Sequence, residues 1–176
     1  MVEDLVSTVN AIKQTPTLAT FQFRVRNQWI DGGRNESTAD TFYGAGQEHS
    51  HAKPFLFEAD EPPVLLGKDT APNAGEHLLH ALAACLTTTI VFHAAARGIE
   101  LEEVESSVEG DVDLQGFLGL DEKVRNGFQG IRIHFKIKAD VPDEQLQEIC
   151  QFGPQYSSLF DTLTKGVPIS VTGDRL

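Results

Sequence analysis

Cysteine and basic residues are both scarce in this sequence. Only two cysteines occur among 176 residues, which excludes a disulfide scaffold. Fourteen Lys and Arg oppose 26 Asp and Glu, giving a formal net charge of -12. Nucleic acid is therefore not an expected partner, because binding to phosphates needs a cationic surface. A membrane surface is disfavoured for the same reason, since its anionic lipids attract basic segments.

Targeting and membrane-spanning signals are missing as well. No basic segment precedes an apolar one near the N-terminus, so we expect no secretory signal and a cytoplasmic location. The longest apolar stretch, Ala81 to Ala96, contains three threonines and His93 and is shorter than the roughly 20 residues of a membrane span. We interpret it as a buried core helix. A reducing cytoplasm also disfavours a disulfide between Cys85 and Cys150.

Length and composition fit one soluble globular domain. With 40% hydrophobic and 23% charged residues, a chain of this length can bury a core without metals or disulfides. No internal repeat or long linker divides it, so we predict a single domain over residues 1–176. Residues 1–15 are predicted as an N-terminal helical extension, because apolar residues recur there at helical spacing. These residues are Val2, Leu5, Val6, Val9 and Ile12.

The clearest element is a long helix from Ala74 to Arg97. The segment is rich in Ala and Leu, lacks proline, and is followed by Gly98, the residue favoured just past a helix end. Its expected length is about 36 Å. Apolar residues cover most of its circumference, so it needs cover on nearly every side. One chain of this size offers limited cover, and we therefore expect a partner subunit.

Alternating apolar and polar residues predict strands on both sides of this helix. The predicted strands lie at Phe21 to Val25, Arg34 to Tyr43, Pro54 to Glu58, Val104 to Val112, Ile131 to Lys138 and Pro168 to Val171. A helix is predicted after Pro142 and interrupted at Gly153-Pro154, with another from Tyr156 to Thr164. We interpret His49-Ser50-His51 as a solvated loop. Strands in blocks, rather than alternating with helices, define an α+β fold.

Cys85 lies inside the long helix, where two interpretations stay open. A free cysteine is often a small buried hydrophobe. Polar neighbours favour a reactive thiol instead, since Thr87, Thr88 and Thr89 follow it and Glu76 lies within three turns. A reactive thiol needs a partner that lowers its pKa or fixes its geometry.

The sequence predicts neither a cofactor nor a metal site. His77, His80 and Cys85 are the candidate ligands, but on a helical wheel His80 lies about 140° from Cys85 and His77 is two turns away. Cys150 falls on the apolar face of its own predicted helix, where core packing is favoured. A Gly-rich phosphate loop is missing, and so is the nucleophilic-serine motif G-x-S-x-G.

The segment from Glu76 to Gly98 resembles the OsmC/Ohr family, the osmotically inducible protein C and organic hydroperoxide resistance proteins. The similarity continues in Gly32-Gly33-Arg34, in Val108-Glu109-Gly110-Asp111 and in the tail from Phe160 to Ile169, and covers roughly residues 20–174. It implies an OsmC-like fold, in which antiparallel sheets are wrapped around a long central helix. It also implies an intertwined homodimer.

The same resemblance implies thiol chemistry at particular residues. Cys85 occupies the position of the family's peroxide-reducing cysteine, and Arg34 that of the arginine that activates it. The activating glutamate is expected where this chain has Gly75, so Glu76 is one step away. The position of the second, resolving cysteine holds Ser157.

Two functions follow from these matches. The leading one is a thiol-dependent redox and stress-response protein, a peroxiredoxin-like thiol peroxidase that reduces organic hydroperoxides through Cys85. Without its usual resolving cysteine, it would need an external thiol reductant. The alternative is an OsmC-fold dimer without peroxidase activity, which binds a small apolar ligand near Cys85. A third interpretation, an interaction module with an acidic surface, has only the net charge in its favour.

Overall fold

Residues 2–175 are described by a computed structural model. They form two compact units, divided between Leu78 and Leu79. Helices and antiparallel sheets occur together, which confirms the α+β class. The single domain over residues 1–176, with residues 1–15 as an extension, stays a prediction.

The first unit begins with the expected N-terminal helix. Helix α1 spans Val2–Gln14 and buries none of its residues. The strand predicted around Phe21 to Val25 is much shorter in the structure. A 3-10 turn at Pro16–Ala19 is followed by strand β1, which contains only Gln22–Phe23. Proline at the start of this turn fixes a φ that suits the tight helical turn rather than a strand.

The sheet of the first unit is built around one long central strand. Strand β2 spans Arg26–Asp31, β3 spans Arg34–Gly44 and β4 spans Gln47–Ala59. All pairings are antiparallel: β1 and β2 pair with successive parts of one edge of β3, and β4 pairs with the other. A turn at Gly32-Gly33 joins β2 to β3, and Gly32 has a φ of 51°.

Strand β4 is longer than predicted. The sequence placed His49-Ser50-His51 in a solvated loop, and this interpretation is wrong. Both imidazoles lie on β4 and contact Phe42 of β3. His49 stacks on the Phe42 ring with centroids 5.0 Å apart, and His51 lies tilted against it at 5.3 Å. A turn through Ala45 and Gly46, both with positive φ, allows this early start of the strand.

The loop between β4 and the long helix is organised by Asp60. This side chain is 2% exposed and accepts hydrogen bonds from the N–H groups of Glu61, Lys68 and Thr70 and from the Thr70 hydroxyl. The backbone N–H of Asp60 also donates to the carbonyl of Pro72 at 3.4 Å. One buried carboxylate therefore fixes both ends of the loop.

The long helix matches its predicted bounds almost residue for residue. Helix α2 spans Ala74–Ala96, and Gly98 follows with a φ of 72°, as expected of a helix-ending glycine. Its buried residues, Leu82, Leu86, Ile90 and Ala94, are spaced four apart and form a single stripe. Much of the remaining apolar circumference is uncovered in the structure.

The second unit adds a two-stranded antiparallel sheet. Strand β5 spans Leu101–Asp111 and pairs along its length with β6, Gly130–Ala139. Both strands were predicted. The segment between them contains the short helix α3, Leu114–Phe117, and leaves Phe117, Leu118 and Leu120 between 59% and 71% exposed.

Two consecutive helices follow β6, and the first of them differs from the sequence-based prediction. Helix α4 runs without interruption from Asp143 to Tyr156, with Pro154 inside it. The predicted break at Gly153-Pro154 is therefore wrong. Gly153 is buried where α4 meets α2, and an added Cβ would lie only 3.0 Å from a methyl group of Leu86. This packing keeps the last turn of α4 helical despite the proline.

Helix α5 spans Ser158–Lys165, two residues later than predicted. The strand predicted at Pro168 to Val171 is wrong for the described chain, since residues 166–175 form no strand there. Val167, Ile169 and Val171 are all more than half exposed. Their alternation fits a strand, but residues 2–175 give them no partner strand.

Candidate thiol site

The two serines at the start of α5 contact the sulfur of Cys85. The Ser157 hydroxyl donates a hydrogen bond to Cys85 Sγ at 3.1 Å, and Ser158 Oγ lies 3.7 Å from the same sulfur. Cys85 is half-buried on α2. The thiol is therefore reachable from solvent and is held by polar partners rather than by an apolar core.

The Ser157 hydroxyl is fixed in place by capping α5. It is 2% exposed, and its oxygen accepts the N–H of Phe160 at 3.2 Å. A residue in this position satisfies one of the free N–H groups of the first helical turn. Because the oxygen is thus an acceptor for the helix, the single hydroxyl hydrogen is free to point at Cys85 Sγ.

These contacts favour the charged form of the thiol. Burial raises the pKa of Cys85, but hydrogen bonds from the Ser157 hydroxyl, the Leu159 N–H and the Ser158 hydroxyl lower it by more. The net result is a pKa below the ordinary value of a cysteine. The N-terminal end of α5 adds the partial positive charge of its free N–H groups.

Cys150 has the opposite environment. Burial raises the pKa of its thiol, and no charged or hydroxyl partner compensates within the described residues. It lies seven residues before Ser157 on the continuous helix α4, which corresponds to about 10 Å along the axis. Both cysteines are free thiols. Ser157, rather than Cys150, is the side chain that contacts Cys85.

Glu76 is engaged at the start of α2. Its carboxylate accepts the N–H of Asn73 at 2.8 Å, while the Asn73 side chain accepts the N–H of Glu76 at 2.9 Å. This reciprocal pair is a capping box. Nine residues separate Glu76 from Cys85, so the two side chains leave α2 on opposite sides, about 13 Å apart along the axis. The helix itself does not bring them together.

Arg34 begins β3 and is held by two carboxylates. Its guanidinium forms ion pairs with Glu36 at 3.0 Å and Glu58 at 2.9 Å. The Nε atom is buried and finds no acceptor among residues 2–175. The Nε–H group of Arg34 therefore has no hydrogen-bond acceptor in the first unit.

His77, one of the candidate metal ligands, is hydrogen-bonded to strand β4. The Nε2 of His77 donates to the carbonyl of Glu58 at 2.7 Å. In the part of the chain that the structure describes, no three His, Cys, Asp or Glu side chains converge on a common point.

The sequence interpretation missed Ser158 and Leu159 as contacts of Cys85. A signal was available, because serine directly before an apolar helical run marks a helix N-terminus. Ser157-Ser158 followed by Leu159 and Phe160 is such a pattern. This pattern predicts the N–H groups at the start of a helix, but it does not predict that they face the thiol of Cys85.

The chain is an α+β protein with a hydrogen-bonded cysteine, Cys85, on its longest helix. The chain belongs to the OsmC-like protein family, whose pattern matches residues 67–172. No curated protein matches the sequence significantly. By length and composition alone α2 could cross a membrane. A single helix of this kind is weak evidence of a membrane span, because the core helix of a soluble protein meets the same criteria.

Solved structures share the fold at low sequence identity. An OsmC-like protein of Mycoplasma pneumoniae is 20% identical, with a TM-score of 0.61, over 83% of this chain and 89% of that one. The organic hydroperoxide resistance protein OsmC of Legionella pneumophila is 15% identical, with a TM-score of 0.60, over 84% and 93% of the two chains. The organic hydroperoxide resistance protein OhrB of Bacillus subtilis is 18% identical, with a TM-score of 0.52, over 81% of this chain and 90% of that one.

Proposed function

We propose that this protein is a thiol-dependent redox protein that reduces organic hydroperoxides through Cys85. The observation that carries the proposal is the hydrogen bonding of Cys85 Sγ by Ser157 and the start of α5, which lowers the thiol pKa. The thiolate is the nucleophilic form of cysteine. Membership of the OsmC-like family, with relatives named for organic hydroperoxide resistance, supports the choice of oxidant.

The proposed reaction has two stages. The thiolate attacks the outer peroxide oxygen, the O–O bond breaks, and the alkoxide takes up a proton and leaves as an alcohol. Cys85 is thereby oxidised to a sulfenic acid, and the peroxide is reduced by two electrons. An external thiol then condenses with the sulfenic acid to form a mixed disulfide and water. A second external thiol releases Cys85 and forms the disulfide of the reductant.

The reductant must come from outside because the chain lacks a second thiol at the site. A hydroxyl cannot form a disulfide, and Ser157 occupies the place beside Cys85 Sγ. Cys150 lies about two helical turns, roughly 10 Å along α4, from Ser157, and we propose that it does not take the place of the missing thiol. We therefore propose a one-cysteine mechanism in a reducing cytoplasm, where low-molecular-weight thiols are available.

Arg34 and Glu76 are proposed as activators of this thiol, as the family resemblance implies. We expect Arg34→Ala to raise the pKa of Cys85, because a cation near a thiolate favours the charged form. The check is the rate of Cys85 alkylation against pH. The control is Arg24→Ala, which changes another ion-paired arginine, between β1 and β2. An unchanged profile in Arg34→Ala would limit Arg34 to its ion pairs with Glu36 and Glu58.

Glu76 needs a variant that separates charge from capping. Glu76→Gln keeps an oxygen that can accept the Asn73 N–H, since glutamine also serves in capping boxes. If Glu76 acts through its charge, this variant loses peroxide activity while its thermal stability stays that of the wild type. Equal activity in Glu76→Gln and wild type would leave only the capping role.

The alternative function is a dimer that binds a small apolar ligand and does not reduce peroxide. Two observations favour keeping it: the serine beside Cys85, and the engagement of Glu76 in the helix cap.

One experiment separates the two functions. The protein is treated with one equivalent of cumene hydroperoxide, and both cysteines are mapped by mass spectrometry, with Cys85→Ser and Cys150→Ser as controls. The proposal predicts sulfenic acid at Cys85, sulfinic acid on further peroxide, and a mixed disulfide when an external thiol is present. A quantitative Cys85–Cys150 disulfide would contradict the one-cysteine mechanism. An unmodified Cys85 would favour ligand binding instead.

A further inference from the structure

A row of polar side chains runs along α2 on the side of Cys85. Cys85, Thr89, His93 and Arg97 are spaced four residues apart, so they follow one another along the helix surface. Thr89 donates to the carbonyl of Cys85 at 2.7 Å. The remaining two belong to a cluster with α4 that the proposed reaction does not use.

We call this cluster the His93 cluster; it consists of His93, Arg97, Phe152 and Tyr156. The imidazole of His93 stacks on the Tyr156 ring, with centroids 4.0 Å apart and planes 8° from parallel. The guanidinium of Arg97 lies 4.2 Å from the centre of the Phe152 ring. It also donates to His93 Nδ1 at 3.2 Å and to the His93 carbonyl at 2.9 Å.

The stacked pair lies directly beside the thiol site in sequence. Tyr156 is the last residue of α4, and Ser157, the next residue, caps α5 and donates to Cys85 Sγ. Pro154 has no N–H, so the last turn of α4 lacks one helical hydrogen bond. A weakened last turn depends more on side-chain packing to hold its direction. The His93 ring supplies that packing at Tyr156.

We propose that His93 and Tyr156 are positioning residues that hold the Ser157 hydroxyl on Cys85 Sγ and thereby set the reactivity of the thiol. This inference rests on the proposed function only in taking Cys85 as the reactive thiol. Neither ring is needed to contact the peroxide. Both act through the backbone at residues 156 and 157.

The charge state of His93 agrees with this role. Burial lowers the pKa of His93, and the neighbouring Arg97 lowers it further. Both effects favour the neutral ring, in which the Nδ1 lone pair can accept from the guanidinium. The groups that pack on the ring are Arg97, the residue after α2, and Phe152 and Tyr156 from α4.

The test is the rate of Cys85 alkylation by iodoacetamide from pH 6 to 10, followed on the Cys85 peptide by mass spectrometry. We expect Ser157→Ala to slow alkylation at pH 7 about threefold, because it removes a hydrogen bond to the thiolate. Tyr156→Ala and His93→Ala should give the same slowing, with wild-type rates at pH 10. Tyr156→Phe, which keeps the ring, should restore the wild-type profile.

A double variant makes the claim specific. If Tyr156 acts through Ser157, then Tyr156→Ala causes no further slowing in a Ser157→Ala background. Additive slowing, or a wild-type profile for Tyr156→Ala alone, would overturn the inference. Faster alkylation at every pH would also overturn it, since that indicates loosening of the site rather than loss of one hydrogen bond.

The readout keeps this inference separate from the proposed function, because alkylation involves no peroxide. Failure of Cys85 to reduce cumene hydroperoxide, combined with the expected alkylation profiles, would remove the peroxidase and leave the positioning role in place. The reverse combination would remove the positioning role alone.

Discussion

In the proposed mechanism, a single atom at residue 157 determines which redox chemistry Cys85 completes. The Ser157 oxygen is 3.1 Å from Cys85 Sγ and is held there by its hydrogen bond from the Phe160 N–H. In the proposed reaction, an oxygen in this place stabilises the thiolate and so favours the first attack on a peroxide. It cannot, however, capture the resulting sulfenic acid as a disulfide.

We therefore expect Ser157→Cys to convert the protein to two-cysteine chemistry. Because the two side chains already touch, one equivalent of cumene hydroperoxide should produce a disulfide between residues 85 and 157. Non-reducing peptide mapping would detect it. Ser158→Cys is the matched control, since Ser158 Oγ is farther from Cys85 Sγ, at 3.7 Å. Equal disulfide yields in the two variants would show that Ser157 has no special position.

Asp60 is the residue whose charge contributes most clearly to the fold. Its hydrogen bonds from Thr70, Glu61 and Lys68 lower the pKa of the carboxyl to about 2. An unfolded aspartate titrates near a pKa of about 3.9. The stabilisation is therefore fully present above about pH 4 and is lost as the pH falls toward 2.

For Asp60→Asn we expect lower stability than wild type at pH 7 and a smaller loss of stability between pH 5 and 2.5. The amide accepts fewer of the four hydrogen bonds and does not titrate. Urea unfolding midpoints across this range provide the measurement. Asp69→Asn, a change in the same loop at an exposed residue with a φ of 56°, should match wild type because asparagine tolerates that backbone. Parallel pH curves for Asp60→Asn and wild type would contradict this account.

At the scale of elements, the loop between β4 and α2 is constrained at a second residue, Gly67, which packs against the backbone of Glu61. At Gly67 an added Cβ would lie 1.7 Å from the Glu61 carbonyl oxygen, a backbone atom that cannot rotate away. We expect Gly67→Ala to destabilise the protein by about 1–3 kcal/mol, the usual cost of overpacking. Gly130→Ala, where nothing lies within 4 Å, is the control. Similar melting temperatures for both variants would exclude the predicted clash.

Elements with clear ends were predictable from the sequence, and elements governed by packing were not. Helix α2 has its stop signal in Gly98, and β6 alternates strictly, so both were found. Proline at 154 usually ends a helix, yet α4 continues because Gly153 packs against α2. Local sequence contains no information on that contact.

The polar composition of β4 caused a similar error. The sequence predicts a loop at His49 and His51, because imidazoles are compatible with solvent. In the structure both imidazoles contact the ring of Phe42 on the neighbouring strand, which is a non-local partner. Cross-strand pairs of this kind stabilise sheets but cannot be read from one strand alone.

The candidate site was predictable only in part. The resemblance placed Ser157 at the position of a resolving cysteine, and the structure places its hydroxyl against Cys85 Sγ. The capping role of Glu76 had a local signal, because Asn73 precedes it by three residues. The roles of Leu159 and of the His93 cluster depend on how α4 and α5 meet α2, which periodicity does not define.

On the scale of the whole molecule, the buried apolar core is small. Leu82, Leu86, Ile90, Ala94 and Ile149 are buried, whereas large apolar side chains such as Phe23, Leu66 and Phe117 are more than 70% exposed. Exposed apolar surface of this extent is typical of interfaces. We propose that a second copy of the chain covers it, in agreement with the homodimer that the family resemblance implies.

Light scattering at micromolar concentration should therefore give twice 19.3 kDa, or 38.6 kDa. Because subunits that share a core have no stable folded monomer, dilution should lower the unfolding temperature. Measurement of Tm over a hundredfold range of concentration tests this dependence. A folded species of 19.3 kDa with a Tm that does not change on dilution would contradict the dimer.

The edge strand β2 supplies a convenient optical reporter. Trp29, the single tryptophan of the chain, is 70% exposed, and its indole N–H donates to the carbonyl of Gly32 at 3.0 Å. Indole fluorescence shifts to longer wavelength when water replaces apolar neighbours. All tryptophan emission thus comes from one position on one sheet edge, and its colour follows the solvation of that edge without any attached label.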